Sequence, residues 1–315
     1  MVTLGTIGTS QITYSLAEAV RAVPEASIGT VYSRDAGKAA SVAAELGASG
    51  SSSDLAEMLA SDSIDAVYVA SPNSLHAAQA AQALRAGKHV LVEKPAVTDP
   101  ADWDELMAIA DANGVIVLEA IRTRFDPGLA VLRDLLPTVG QLRGLTLRYE
   151  KRSSRYDLVL AGETPNIFDP RFGGGALRDL GIYVIHALLA LVGPPQRVTA
   201  MNVAIRTGVD GLGTILAGYP DFVADLHYSK ITSPEQPSVI HGEDGIIVID
   251  AIDAPRVIGH GTEDDWTEVE VDAPANPMVG EVRRFAELVA GNGSAAQHNA
   301  ATAQALAIIA AASSS

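Results

Sequence analysis

Short apolar runs separated by segments of helical spacing fill the first 120 residues, and this alternation constrains the fold more than any other feature of the chain. The runs are Val2 to Ile7, Ser27 to Tyr32, Asp65 to Ala70, Val90 to Val92 and Val115 to Glu119. Strands that alternate with helices specify a parallel, doubly wound α/β sheet. Within this series, Val90-Leu91-Val92-Glu93-Lys94-Pro95 is the most informative stretch. It reads as a strand covered on both faces, and Pro95 ends it because proline offers no N–H to a ladder. In such sheets ligands sit outside the carboxyl ends of the strands, so Glu93 and Lys94 fall where a cofactor would lie. A solitary lysine is more often a solvated loop charge; later features shift that balance.

The turns after the other strands bear on the same site. Gly8-Thr9-Ser10-Gln11-Ile12-Thr13 precedes a helix expected from about Tyr14 to Ala22. Dinucleotide loops place three glycines here, for a tight turn, for approach to the pyrophosphate and for helix packing. Only Gly8 is present, Ser10 offers a hydroxyl, and Thr13 is bulkier than the pattern. Taken alone, the loop is equally a plain strand-to-helix turn. The second strand ends at Ser33-Arg34-Asp35, with Lys38 one turn on. An acidic residue at this end suits the ribose diol of NAD, whereas arginine accommodates the 2'-phosphate of NADP. Ser33 and Arg34 therefore favour NADP(H), and Asp35 keeps NAD(H) open. Arg34 and Lys38 also fit solvated helix-entry charges. The third strand closes at Ser71-Pro72-Asn73-Ser74-Leu75-His76, which sets Asn73 and His76 near the nicotinamide end, although such a His is commonly a packing residue. The candidate cofactor contacts are thus Gly8, Thr9, Ser10, Gln11, Ile12, Ser33, Arg34, Lys38, Ser71, Asn73, His76, Glu93 and Lys94.

A chain of 315 residues fits two domains. The crossing is placed near Ile121, giving domains of residues 1–121 and 122–315. The 22 Lys plus Arg against 38 Asp plus Glu leave a formal charge of −16, a poor match for a phosphate backbone, so no nucleic-acid partner is expected. There is no cysteine, which removes disulfides and thiolate chemistry. No basic leader is visible and no apolar run has membrane-spanning length. A cytoplasmic location with no membrane association is expected. The tail from Ala295 to Ser315 reads as a last helix fraying into a disordered terminus.

In the second half, Leu142 to Tyr149 alternates as a strand should, and Lys151-Arg152-Ser153-Ser154-Arg155-Tyr156 follows. Its arginines either hold an acidic or polyhydroxyl substrate or form an exposed basic edge. Gly173 to Gly175 lets the backbone turn tightly into a helix that carries Asp179 and Tyr183, four apart and on one face. Short runs from Val198 to Gly259, broken by Gly, Pro and Asp, suit an antiparallel meander. His227, His241 and His260 lack the paired spacing of a metal site, so no metal is expected.

The Gly8 turn, Ser33-Arg34, Ser71-Pro72-Asn73 with His76, Glu93-Lys94-Pro95, and Gly173-Gly174-Gly175 leading to Asp179, Gly181 and Tyr183 together resemble the glucose-fructose oxidoreductase / inositol dehydrogenase (Gfo/Idh/MocA) family. Tyr183 stands where many inositol dehydrogenase-like members have His, and it places the chain nearer the glucose-fructose oxidoreductase and dihydrodiol dehydrogenase branches. The resemblance implies a Rossmann domain followed by an α+β domain whose open, mainly antiparallel sheet forms a homodimer or homotetramer. It implies an NAD(P)-dependent oxidoreductase of a sugar, polyol or small carbonyl compound. By position, Lys94 becomes the active-site lysine, Asp179 the helix carboxylate and Tyr183 the acid/base. An unperturbed tyrosine, with a pKa near 10, is phenolate in about one molecule in a thousand at neutral pH. A nearby ammonium favours that form, the role given to Lys94, with Asp179 keeping Lys94 charged. In the reductive direction neutral Tyr183 is already a proton donor while Lys94 polarises the carbonyl. Two other readings remain: a non-catalytic dinucleotide-binding regulator, and a redox-assisted glycosidase that recycles bound NAD.

Overall fold

A computed structural model describes residues 1–234 and 236–313. The expected disorder at Ser314 and Ser315 therefore lies outside the described residues. The chain divides into two compact units, one of Met1–Ala120 with Pro274–Ala303 and one of Ile121–Ala273 with Gln304–Ser315.

The first unit begins β1 (Val2–Ile7), α1 (Gln11–Arg21), β2 (Ala26–Tyr32), α2 (Ala36–Leu46), β3 (Gly50–Ser52), α3 (Leu55–Ala60) and β4 (Ala66–Val69). It continues α4 (His76–Arg85), β5 (His89–Glu93), α5 (Pro100–Asn113) and β6 (Val117–Ala120). The six strands pair in the order β3-β2-β1-β4-β5-β6, every pair parallel. Both faces of this sheet are covered, which is why β4 and the Val90–Val92 core of β5 are apolar and wholly buried. Local chemistry sets the helix starts: Asp54 and Asp99 accept hydrogen bonds from the first-turn amides of α3 and α5, and Pro100 opens α5, where a missing N–H costs nothing.

The second unit opens with α6 (Pro127–Leu135), capped by Asp126, then β7 (Leu142–Glu150), α7 (Tyr156–Leu160) and α8 (Ile182–Val192). The strands β8 (Arg197–Ala204), β9 (Asp210–Gly218), β10 (Val223–Ser229), β11 (Ser238–Gly242), β12 (Ile246–Ile249), β13 (Val257–Gly261) and β14 (Trp266–Glu270) follow. They join β7 in an eight-stranded sheet ordered β14-β13-β12-β11-β7-β10-β9-β8, antiparallel except between β7 and β10. Its inner face, with Leu145, Leu147, Ile215, Leu226, Ile240 and Ile258, forms one core with α8. The stretch Pro170–Val192 is long and apolar enough to span a bilayer, contrary to the expectation that none is; 78% of its most apolar window is buried inside the unit, as in a core helix. The outer face leaves Met201 (80% exposed), Leu216 (49%) and Trp266 (44%) uncovered within the chain.

After β14 the chain adds α9 (Val279–Val289) and α10 (Ala296–Ser313). Pro274–Ala303 groups with the parallel sheet, whereas the boundary drawn at Ile121 had left it with the second domain. Asn276 donates to the Ser15 carbonyl on α1, and the Trp103 indole on α5 donates to the Asn299 carbonyl.

Candidate active-site residues in the two units

In the first unit the strand order reverses between β1 and β4, and the crevice at such a reversal is where an open α/β sheet takes its ligand. Gly8 follows β1 with φ of 121°, and a Cβ there would lie 2.4 Å from the Ala70 carbonyl oxygen beyond β4. Only glycine fits. Thr13, the departure from the glycine pattern, is fully buried and donates its hydroxyl to the Gly8 carbonyl at 3.1 Å. A side-chain tether thus fixes the turn where the pattern relies on bare backbone. Thr9 and Ser10 lead into α1, and Gln11 and Ile12 form its first turn. Ser10 is the extended N-cap residue and makes no capping hydrogen bond. The first amides of a helix are donors suited to phosphate.

At the end of β2, Arg34 and Lys38 are exposed and Ser33 is half-buried. Asp35 accepts from the Lys38 amide at 2.9 Å and caps α2, while its own amide donates to the Ser33 hydroxyl at 3.3 Å. The carboxylate that kept NAD(H) open in the sequence is engaged as a helix cap.

Lys94 follows β5 on a turn held from three sides, and its peptide bond to Pro95 is cis. Glu93 is buried and accepts from the Tyr68 hydroxyl. His76, the first residue of α4, is buried, its Nδ1 2.9 Å from the Pro95 carbonyl oxygen and its Nε2 2.8 Å from that of Ser71. Burial pushes this imidazole below its ordinary range, with Lys94 acting in the same direction, against the pull of the two carbonyls and Glu119. Glu119 on β6 accepts from the Ala96 amide at 2.8 Å and from the Thr302 hydroxyl at 3.0 Å. A neutral imidazole has one N–H to donate to either carbonyl, and with a ring nitrogen close to each, His76 packs the Ser71 turn against the Lys94 turn. Asn73 is half-buried and opens the turn Asn73–Leu75.

In the second unit, Gly173 (φ 68°) and Gly175 (φ 125°) turn the chain tightly, and a Cβ on Gly174 would lie 2.7 Å from the Ile167 carbonyl oxygen. The segment that follows, Leu177–Gly181, is a π-helical turn rather than the start of an α-helix. Asp179 and Tyr183 therefore straddle a π-to-α junction, a geometry frequent at functional sites. At the junction Gly181 lies against the Tyr228 ring, where a Cβ would sit 3.1 Å from Cδ1.

Tyr183 is 6% exposed and is gripped by two residues that the sequence reading assigned no role. The Arg122 guanidinium carbon lies 5.0 Å from its ring centre, and Tyr149 packs edge-on with centroids 5.1 Å apart. Arg122 also donates to Asp253 at 2.6 Å and to the Tyr149 hydroxyl at 3.3 Å. Burial works against the charge on Arg122, but Tyr183, Tyr149 and Asp253 outweigh it and hold the guanidinium above its ordinary value. Asp179 is paired with Lys230, at 2.6 Å, another residue the sequence left unremarked. Arg152 of the basic segment is exposed, pairs with Asp157 at 2.7 Å and lies over the Tyr156 ring.

Residues 2–121 match the model of an oxidoreductase family with an NAD-binding Rossmann fold, and residues 137–248 match the GFO/IDH/MocA C-terminal domain. Scyllo-inositol 2-dehydrogenase (NADP(+)) IolU of Bacillus subtilis is 39% identical over 293 residues, covering 93% of this chain and 89% of that protein. Trans-1,2-dihydrobenzene-1,2-diol dehydrogenase of Sus scrofa is 33% identical over 182 residues, 56% of this chain and 52% of that one. Among solved structures, the 3-ketoreductase KijD10 of Actinomadura kijaniata, in complex with NADP and TDP-benzene, superposes with a TM-score of 0.91 at 23% identity, covering 99% and 97% of the two chains. With the parallel six-stranded sheet followed by the eight-stranded one, these matches establish that the chain belongs to the GFO/IDH/MocA family of NAD(P)-dependent oxidoreductases, which act on sugars and polyols.

Proposed function

We propose that this chain is an NADP(H)-preferring oxidoreductase that moves hydride between the nicotinamide and a CH–OH or carbonyl carbon of a sugar, polyol or small carbonyl compound. Tyr183 is its acid/base, assisted by Lys94 and Asp179. The observation that carries this reading is the setting of Tyr183: a nearly buried phenol with a guanidinium 5.0 Å from its ring centre, one helical turn after a carboxylate.

The chain's residues fit the nucleotide. The Gly8 turn admits no side chain, and the start of α1 offers amides to a pyrophosphate. Arg34 and Lys38 present two exposed cations at the end of β2, where a 2'-phosphate is recognised, while Asp35 is occupied as a cap. The nicotinamide, when bound, supplies or accepts the hydride. Tyr183 gives a proton to the substrate oxygen during reduction and takes it back during oxidation. Arg122 favours the phenolate in the oxidative direction, so this task does not fall on Lys94 alone. Lys94, fixed by the Tyr68, His76 and Glu119 brackets around its turn, polarises the substrate oxygen.

We infer further that a second copy of the chain covers the outer face of the eight-stranded sheet. A sheet face carrying Met201, Leu216, Val223 and Trp266 exposed is the kind of apolar surface that an interface buries.

Scyllo-inositol with NADP+ is the first substrate to try, followed by NADPH oxidation over aldehydes, ketoses, dicarbonyls and keto-inositols. Turnover should fall at least a hundredfold in Tyr183→Phe and in Lys94→Ala while NADPH binding is retained. Wild-type rates in either variant would remove that residue from the mechanism. Tight NADPH binding without turnover of any compound would leave a nucleotide-binding regulator instead.

A further inference from the structure

We propose that Lys230 is a positioning residue of the reaction, acting as the internal counterion that keeps Asp179 ionised and pointed along one direction. This rests on the function proposed above and adds a residue from a different part of the chain. Lys230 follows the last residue of β10 and is 2% exposed, whereas Asp179 is 36% exposed. The ammonium is therefore sealed from solvent inside the second unit, whereas the carboxylate it holds at 2.6 Å is open to it. A lysine is almost never buried unless paired, because an unpaired buried charge is strongly disfavoured.

The rest of the Lys230 environment fixes its direction. Its ammonium lies 4.8 Å from the centre of the Phe168 ring and 3.5 Å from the Ile167 carbonyl oxygen, so one short turn holds it in addition to the ion pair. Its backbone amide donates to the Gly211 carbonyl on β9, and its carbonyl accepts from the Ser153 amide beyond β7. With the lysine locked in this way, the π-helical turn has a fixed charge to close on. An ammonium at this distance favours the charged form of Asp179, so the carboxylate orients neighbouring groups and does not serve as a proton donor. The same pairing makes the two partners unequal. Removing Lys230 leaves a carboxylate that water can reach, while removing the Asp179 charge takes a carboxylate away from an ammonium that is almost wholly buried.

The test uses full-length Lys230→Met, Asp179→Asn and the double variant, with Tyr183→Phe alongside, assayed on whichever compound the wild type turns over. Lys230→Met keeps most of the side-chain volume against Phe168 while deleting the charge. It should lose at least tenfold in kcat, with the NADPH dissociation constant changed less than twofold. Asp179→Asn should melt at a lower temperature than Lys230→Met, and the double variant should regain melting temperature over Asp179→Asn without regaining kcat. A merely structural lysine would instead leave Lys230→Met with a lowered melting temperature and a kcat near that of the wild type. Wild-type kcat in Lys230→Met, or in Lys230→Gln should Lys230→Met fold poorly, overturns the proposal while a low rate in Tyr183→Phe leaves the proposed function standing. A wild-type rate in Tyr183→Phe overturns that function and this proposal with it.

Discussion

Arg34 is exposed where β2 runs out, and the neighbouring carboxylate that might have competed for the ribose is turned onto the amide of Lys38. On the function proposed above, Arg34 selects the cofactor. Arg34→Ala should lower kcat/KM for NADP+ at least tenfold, about 1.4 kcal/mol, and leave the value for NAD+ within a factor of about two. Steady-state kinetics with both nucleotides reads the difference, and equal losses with both would show that Arg34 does not recognise the 2'-phosphate. The sequence showed Arg34 and Asp35 but not which way Asp35 faces, because a helix cap depends on the backbone of its own turn. Thr13 is similar. Read as a defect in a glycine loop, it is a buried tether whose hydroxyl grips the carbonyl of the glycine that remains.

Among the elements, those that sequence captured are the ones whose burial writes itself into a run of residues. β4 and β5 are covered on both faces and carry continuous apolar stretches. β14 was missed because its residues are almost all exposed, so no alternation marks it. Leu177–Gly181 was read as α-helix, since a wider turn leaves no distinct pattern in five residues. Nothing in the sequence singles out Lys230 or Arg122, because only the packing of distant segments sets them against Asp179 and Tyr183. The return of Pro274–Ala303 to the first unit was equally invisible, because amphipathic spacing says which face of a helix is covered and not by what. The outer face of the eight-stranded sheet carries its own prediction. Replacing Met201 and Leu216 together by Asp should convert the proposed dimer to monomers by sedimentation velocity, with the melting temperature of the isolated chain little changed. An unaltered sedimentation coefficient would place the interface elsewhere.

At the scale of the whole molecule, the function proposed above draws on residues of both units. The first unit carries Lys94 on a bracketed turn, and the second carries Tyr183 with Arg122, Asp179 and Lys230. The family assignment supports both halves acting in one reaction, and the central claim is that Lys94 and Tyr183 serve the same transition state. A double-mutant cycle on kcat/KM tests this most directly, using wild type, Lys94→Ala, Tyr183→Phe and the double variant on one substrate with NADP(H). Groups acting on one step are non-additive, so the double variant should be little slower than the slower single one. Losses that multiply fully would contradict the claim and assign the lysine and the tyrosine to independent tasks.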